Sequence, residues 1–289
     1  MTLSNKLKDL RKQAGLSQEQ MAERLNVSRQ AITKWETDAG MPDIPNLVAI
    51  ARLFAITVDE LLGEGGAVPA APDFFYESVT EFDVSIAKRY DFQLGSAREI
   101  TFSVDEHEKV RVRLASNTLK ALANDVKVTI DGHDVAIERA PDMTESQARE
   151  ALYVFVSLPA RFLEHTEVEA LTEVFYLSGF TGHTLEFDGK AQRFVVSRCD
   201  AAIDINTAAD MAIEYDVFSG RLDLNLVSST ASLHLPKGSR YSAAKKGSGN
   251  AVVFAEGAAP DDDAAAHSIQ LRGFHAELVV HEDVPFSHP

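Results

Sequence analysis

The pattern of apolar positions changes period near residue 63. Before that point it is helical. Leu3, Leu7, Leu10 and Ala14 fall at i, i+4, i+7 and i+11 on one helix face, and Gly15 stands where a left-handed C-terminal cap is wanted. Ser17 and Gln20 have capping-box spacing, with Leu16 and Met21 placed as a hydrophobic staple. Ala22 and Leu25 continue that second face. Asn26 tolerates a turn conformation, Ser28 caps a third helix running to about Thr37, and Val27 and Ile32 repeat the staple. Only a short turn separates the second and third helices, which is helix-turn-helix spacing. Pro42, Asp43 and Pro45 open a fourth helix with Leu47, Ile50, Ala51 and Phe54 on its inner face. Thr57-Val58-Asp59-Glu60, with Ile56 and Leu61, opens a short fifth one that Gly63 ends. These signals predict a small all-α five-helix domain over residues 1–62.

Residues 63–75 begin Gly-Glu-Gly-Gly-Ala-Val-Pro and lack an apolar period, so they are expected to form a linker. From 76 to 289 the period is 2, which predicts a mainly β domain. Phe82-Val84-Ile86, Phe92-Leu94, Ile100-Phe102-Val104, Val110-Val112-Leu114, Val126-Val128-Ile130 and Leu152-Val154-Val156-Leu158 read as half-buried strands, with a short helix over Thr144–Ala151. Between 185 and 235 apolar pairs begin at Leu185, Phe194, Ile203, Ile213, Leu222 and Leu233, an even spacing of nine to eleven residues. That rhythm fits a β-solenoid with two strands per rung or a β-sandwich. Small turn residues and the lack of a hairpin rhythm favour the solenoid. Residues 255–267 read as a loop and His281–Pro289 as a frayed tail.

Leu16-Ser17-Gln18-Glu19-Gln20-Met21-Ala22, Val27-Ser28-Arg29-Gln30-Ala31-Ile32, Trp35-Glu36, Pro42, Leu47…Ile50-Ala51 and Val58-Asp59-Glu60-Leu61-Leu62 resemble the XRE/Cro-like helix-turn-helix family. The resemblance covers residues 3–62 and implies binding of double-stranded DNA, usually as a dimer on a near-palindromic site. It also implies a phosphate-backbone contact for Gln18. The later strands resemble the adhesin-like β-solenoid domains, some of which are fused to regulators.

Charge at first argues against DNA, since the net charge is −16. Residues 1–35, however, hold seven Lys and Arg against three acids, a surplus of +4, so the remainder carries −20. Screening confines phosphate attraction to about 8–10 Å, and a basic end can meet DNA while an acidic body does not. On the third helix Ala31, Ile32 and Trp35 face inward, leaving Arg29, Gln30, Thr33 and Lys34 outward. Gln30 has the chemistry to pair bidentately with adenine. Arg29 fits guanine or a phosphate, Thr33 a base edge or thymine methyl, and Lys34 a phosphate. The free N–H groups opening the second helix suit an anion at Gln18, and Ser28 can cap its helix and touch a phosphate. Glu36 is expected to be an intradomain ion-pair or capping partner.

The composition, 45% hydrophobic and 25% charged, is that of an ordinary soluble protein. The single cysteine, Cys199, excludes an intramolecular disulfide. No leader or membrane span is read from the sequence, and a cytoplasmic location follows as the expectation. No pair of histidines has ligand spacing on one element except His281/His288. Asp261-Asp262-Asp263 reads as a solvated turn, and no nucleophile, P-loop or dinucleotide motif occurs. No cofactor, metal site or enzymatic activity is therefore expected. The expected partners are double-stranded DNA, a second copy in a homodimer, and a ligand or protein for the β domain, with no membrane. The sequence leaves the β domain open between signal sensing, passive assembly and a polysaccharide-active β-helix. A row of aligned carboxylates on one face would favour the last.

Overall fold

The computed structural model describes residues 3–13, 16–25, 27–37, 40–54, 74–122, 126–139, 143–261 and 267–282. The chain divides into two compact units, residues 1–70 and 71–289. The expected fifth helix lies outside the described residues, as does the expected linker apart from residues 74 and 75.

The first unit contains α1 (Leu3–Gln13), α2 (Gln18–Leu25), α3 (Arg29–Glu36) and α4 (Ile44–Leu53), the last three starting where the sequence places their entry signals. Ser17 Oγ accepts the Gln20 N–H at 3.1 Å while Gln20 Oε1 accepts the Ser17 N–H at 2.8 Å, a complete capping box. Ser28 Oγ accepts the Ala31 N–H at 3.2 Å, and Asp43 Oδ1 the Asn46 N–H at 3.0 Å. Leu7, Met21, Ala22, Leu25, Ile32, Trp35, Leu47, Ile50 and Ala51 form one core. Each large side chain buried there contributes about 1.5–3 kcal/mol, so a domain this small depends on nearly all of them.

The second unit is built on three long parallel strands, β2 (Lys88–Asp105), β7 (Leu163–Ser178) and β8 (Thr181–Ser197). Each contributes its first half to one face and its second half to another. On the first face the order is β5 (Asp134–Arg139), β2, β7, β8, β9 (Asp200–Thr207), β11 (Gly220–Val227), β15 (Ser268–Phe274) and β13 (Ser242–Lys245), all parallel. On the second face β6 (Tyr153–Pro159) is followed by β2, β7, β8, β10 (Met211–Tyr215), β12 (Thr230–Leu235), β16 (Glu277–Glu282) and β14 (Ala251–Phe254), again parallel. Antiparallel strands close the early end of each face: β4 (Val126–Asp131) on β5, and β3 (Lys109–Ser116) then β1 (Tyr76–Asp83) on β6. The expected short helix is present as α5 (Glu145–Ala151), which starts at a complete Thr144/Gln147 capping box.

Register stacks like on like between the faces. Ile100, Phe175, Phe194, Ile213, Leu233 and Val280 stand opposite one another strand by strand, all buried. So do Phe92, Val168, Phe187, Ile205, Leu224 and Leu271. Where β8 passes from one face to the other, Gly189 has φ +148°, and a Cβ there would stand 1.9 Å from the Ala170 carbonyl oxygen. Only glycine lets adjacent strands pass at that corner.

Three details depart from the sequence reading. Phe92-Leu94 and Ile100-Val104 belong to one bent strand, not two, with a register shift between Gln93 and Gly95. Val84 and Ile86 lie beyond the end of β1. His281 and Glu282 pair within β16 and do not belong to a tail. Among the described residues no helix is long and apolar enough to cross a membrane.

Candidate nucleic-acid interface

The face of α3 opposite its buried Ile32 and Trp35 carries Arg29, Gln30, Thr33 and Lys34, all exposed, with Ser28 exposed at its start. The 3.6-residue period accounts for this division, since residues 29, 30, 33 and 34 share one side. Arg29 Nη1 lies 3.7 Å from Glu19 Oε2, with both side chains more than 60% exposed. Such a pair is worth little, and Arg29 can leave it for a stronger acceptor. Ser28 uses its hydroxyl as the helix cap. Thr33 Oγ1 is turned back, within reach of Gln18 Oε1 at 3.2 Å and the Arg29 carbonyl at 3.1 Å. Gln30 and Lys34 are exposed, and neither side chain makes a hydrogen bond or ion pair to the other described residues.

Beneath this row lies an ionic network that ties three helices together. Arg11 on α1 donates to both Glu36 oxygens, Nε to Oε1 at 2.6 Å and Nη2 to Oε2 at 2.9 Å, and its Nη1 donates to the Leu16 carbonyl at 2.8 Å. Gln18 Nε2 on α2 donates to the same Glu36 Oε2 at 2.9 Å. Glu36 thus plays the expected ion-pair role, with only 2% of its side chain exposed. Gln18 is held at both ends of its amide, by Glu36 and by Thr33, and one amide N–H is left for an outside acceptor. Sequence reasoning singled out Gln18, Thr33 and Glu36 but not Arg11 or the connection, because Arg11 and Glu36 are 25 positions apart.

Burial alone would push the Glu36 carboxyl up. Hydrogen bonds from Arg11 and Gln18, and the charges of Arg11 and Lys8, outweigh it and hold the group below its ordinary value. A carboxyl with a lowered folded value stabilises the fold above its unfolded value, and that contribution is lost as pH falls through the folded value. The melting temperature of this domain should therefore fall as pH drops below about 4.5, and Glu36→Gln should lack that part of the fall. Trp35, the protein's single tryptophan, is buried in this core and reports its melting by fluorescence in the full chain.

Residues 7–61 match a family model described as helix-turn-helix. The HTH-type transcriptional activator BcrR of Enterococcus faecalis is 48% identical over 62 residues, 22% of this chain and 30% of that protein. The HTH-type transcriptional regulator ImmR of Bacillus subtilis is 34% identical over 64 residues, 22% of this chain and 50% of its own. The cryptic phage CTXphi transcriptional repressor RstR of Vibrio cholerae is 36% identical over 63 residues, 22% of this chain and 56% of its own. The chain thus spans between 30% and 56% of the length of these relatives. Among solved structures, a candidate cell adhesion protein of Clostridium sporogenes aligns with 71% of this chain and 97% of its own, at 12% identity and a TM-score of 0.35.

Proposed function

Taking the first unit as an XRE/Cro-like helix-turn-helix domain, we propose that the chain is a sequence-specific DNA-binding transcriptional regulator, not an enzyme. The observation that carries this reading is the exposed row of Arg29, Gln30, Thr33 and Lys34 on α3, backed by the network that fixes α2 against α3. In this assignment Gln30 reads a base edge in the major groove, Arg29 a guanine or a phosphate, and Lys34 a phosphate. Gln18 offers its remaining amide N–H, together with the free first-turn N–H groups of α2, to the backbone. We favour repression, because occupying a site suffices for it while activation needs a further contact.

We read the second unit as a β-solenoid, a reading supported by the two parallel ladders and the even strand spacing. Its role in this account is to pair two copies in the cytoplasm, so that two heads reach half-sites about 34 Å apart, and to receive a signal. Gln30→Ala tests the DNA assignment. It should weaken binding to the preferred duplex by about 1–3 kcal/mol and relax specificity at one position. Unchanged affinity and specificity in a fluorescence-anisotropy titration would place base reading elsewhere.

One observation favours a second reading of the body. On the first face Asp91, Glu167, Glu186, Asp204 and Asp223 stand in register on five successive strands. A row of carboxylates at strand spacing is what a polysaccharide-active β-helix would carry. Hydrolysis of acidic or neutral polysaccharides by the full chain, lost in Glu186→Gln, would establish that reading.

A further inference from the structure

From the geometry of the first face of the β unit we propose a binding site for a first-row divalent cation of the Zn²⁺ class, held by His165, Glu167 and Glu186. His165 and Glu167 are two apart on β7 and project from the same side of the sheet, and Glu186 on β8 stands opposite Glu167. One ligand atom from each lies within 4.8 Å of the others, with His165 Nε2 3.1 Å from Glu167 Oε1. Tetrahedral donors at zinc distances are about 3.4 Å apart, so small side-chain rotations would bring the three onto one ion.

Charge and space point the same way. The carboxylates of Asp91 and Asp204 flank this pair along the row. Like charges one strand apart destabilise a sheet; Arg221 offsets only the far end of the row, at 3.2 Å from Asp204 and 3.4 Å from Asp223, while Arg89 is paired with Asp134 at 2.7 Å. Glu186 is met by a neutral donor, Asn206 Nδ2 at 2.9 Å, which orients one oxygen and leaves the charge uncompensated. A cavity of about 520 Å³ opens beside His165 and Glu167, bounded also by Tyr90, Asp91 and Arg89. Three protein donors with open space alongside match a site that keeps one coordination position for water or a small ligand. The imidazole nitrogen selects against Mg²⁺ and Ca²⁺, which take oxygen donors. Linear spacing does not reveal these donors, because the third arrives through strand register.

The test is calorimetric titration of the chelator-treated full chain with Zn²⁺, beside His165→Ala, Glu186→Gln and a His281→Ala/His288→Ala control. Wild type and the control should bind one Zn²⁺ and gain melting temperature with it. His165→Ala and Glu186→Gln should each bind at least about tenfold more weakly, with nearly unchanged metal-free melting because both side chains are half-buried and lie outside the apolar core. Co²⁺ as a probe should show visible absorption that His165→Ala removes. Absence of Zn²⁺ binding by the wild type, or binding that survives both site variants, would overturn the proposal, as would loss in the His281→Ala/His288→Ala control alone.

Discussion

Glu36→Ala should unfold the N-terminal domain under conditions in which the second unit stays folded. The carboxylate is the common acceptor for Arg11 on α1 and Gln18 on α2, and it sits almost wholly out of solvent. Removing it leaves the Arg11 guanidinium, itself only 12% exposed, without its counter-charge. Breaking one side of a buried pair costs about 3–5 kcal/mol, more than deleting a surface contact, because the stranded charge must be rehydrated or neutralised. A domain of some sixty residues has little more than that to lose. In a urea titration of the full chain, Trp35 emission should move to much lower denaturant while the β signal stays in place. Converting both partners, Arg11→Met with Glu36→Leu, should recover most of the loss, because no buried charge is then left alone. A single variant within about 1 kcal/mol of wild type would mean that apolar packing alone joins the three helices.

The largest effect in the second unit is expected at Phe175. Its ring is fully buried and lies 5.4 Å from Phe102, 5.0 Å from Phe187 and 4.7 Å from Phe194, so four rings from neighbouring strands and both faces meet there. Phe175→Ala removes contacts on three sides and opens a cavity that parallel strands, locked by register, cannot collapse around. Such truncations cost about 3–5 kcal/mol, to which the lost ring pairs add. The matching exposed change, Val253→Ala at the edge strand β14, should cost a few tenths of that. Denaturation followed by far-ultraviolet circular dichroism gives both values. Near-equality of the two variants would refute the placement of Phe175 at the centre of the core.

The helical unit was legible because its signals are local. Caps at Ser17 and Ser28, the Val27/Ile32 staple and the 3.6 period each act within one turn, and the described residues stand as read. The rhythm from Leu185 to Leu233 was legible for the same reason, since each inward pair marks one pass of a strand through the core. What escaped was what register and topology decide. Gly95 and Ser96 interrupt the alternation, so β2 read as two strands although it bends and continues. Most of β7, with its charged outward residues, was not singled out. Nor does the sequence show that β15 lies between β11 and β13, so that the chain goes out to the edge strand before returning to fill the gap. In the interface, individual residues were legible, but the link from Arg11 through Glu36 to Gln18 and Thr33 crosses three helices. Thr33 is expected at a base edge or a thymine methyl, and what the sequence does not show is that its hydroxyl faces Gln18 and its own helix backbone.

Selection of bound duplexes from a random DNA pool by the full-length protein tests the central claim most directly. The account predicts enrichment of one two-fold site, with half-site centres about 34 Å apart, an affinity that falls steeply with salt, and loss of the enriched sequence in Gln30→Ala. A pool that stays random after repeated rounds, or a site enriched equally by Gln30→Ala, would contradict it.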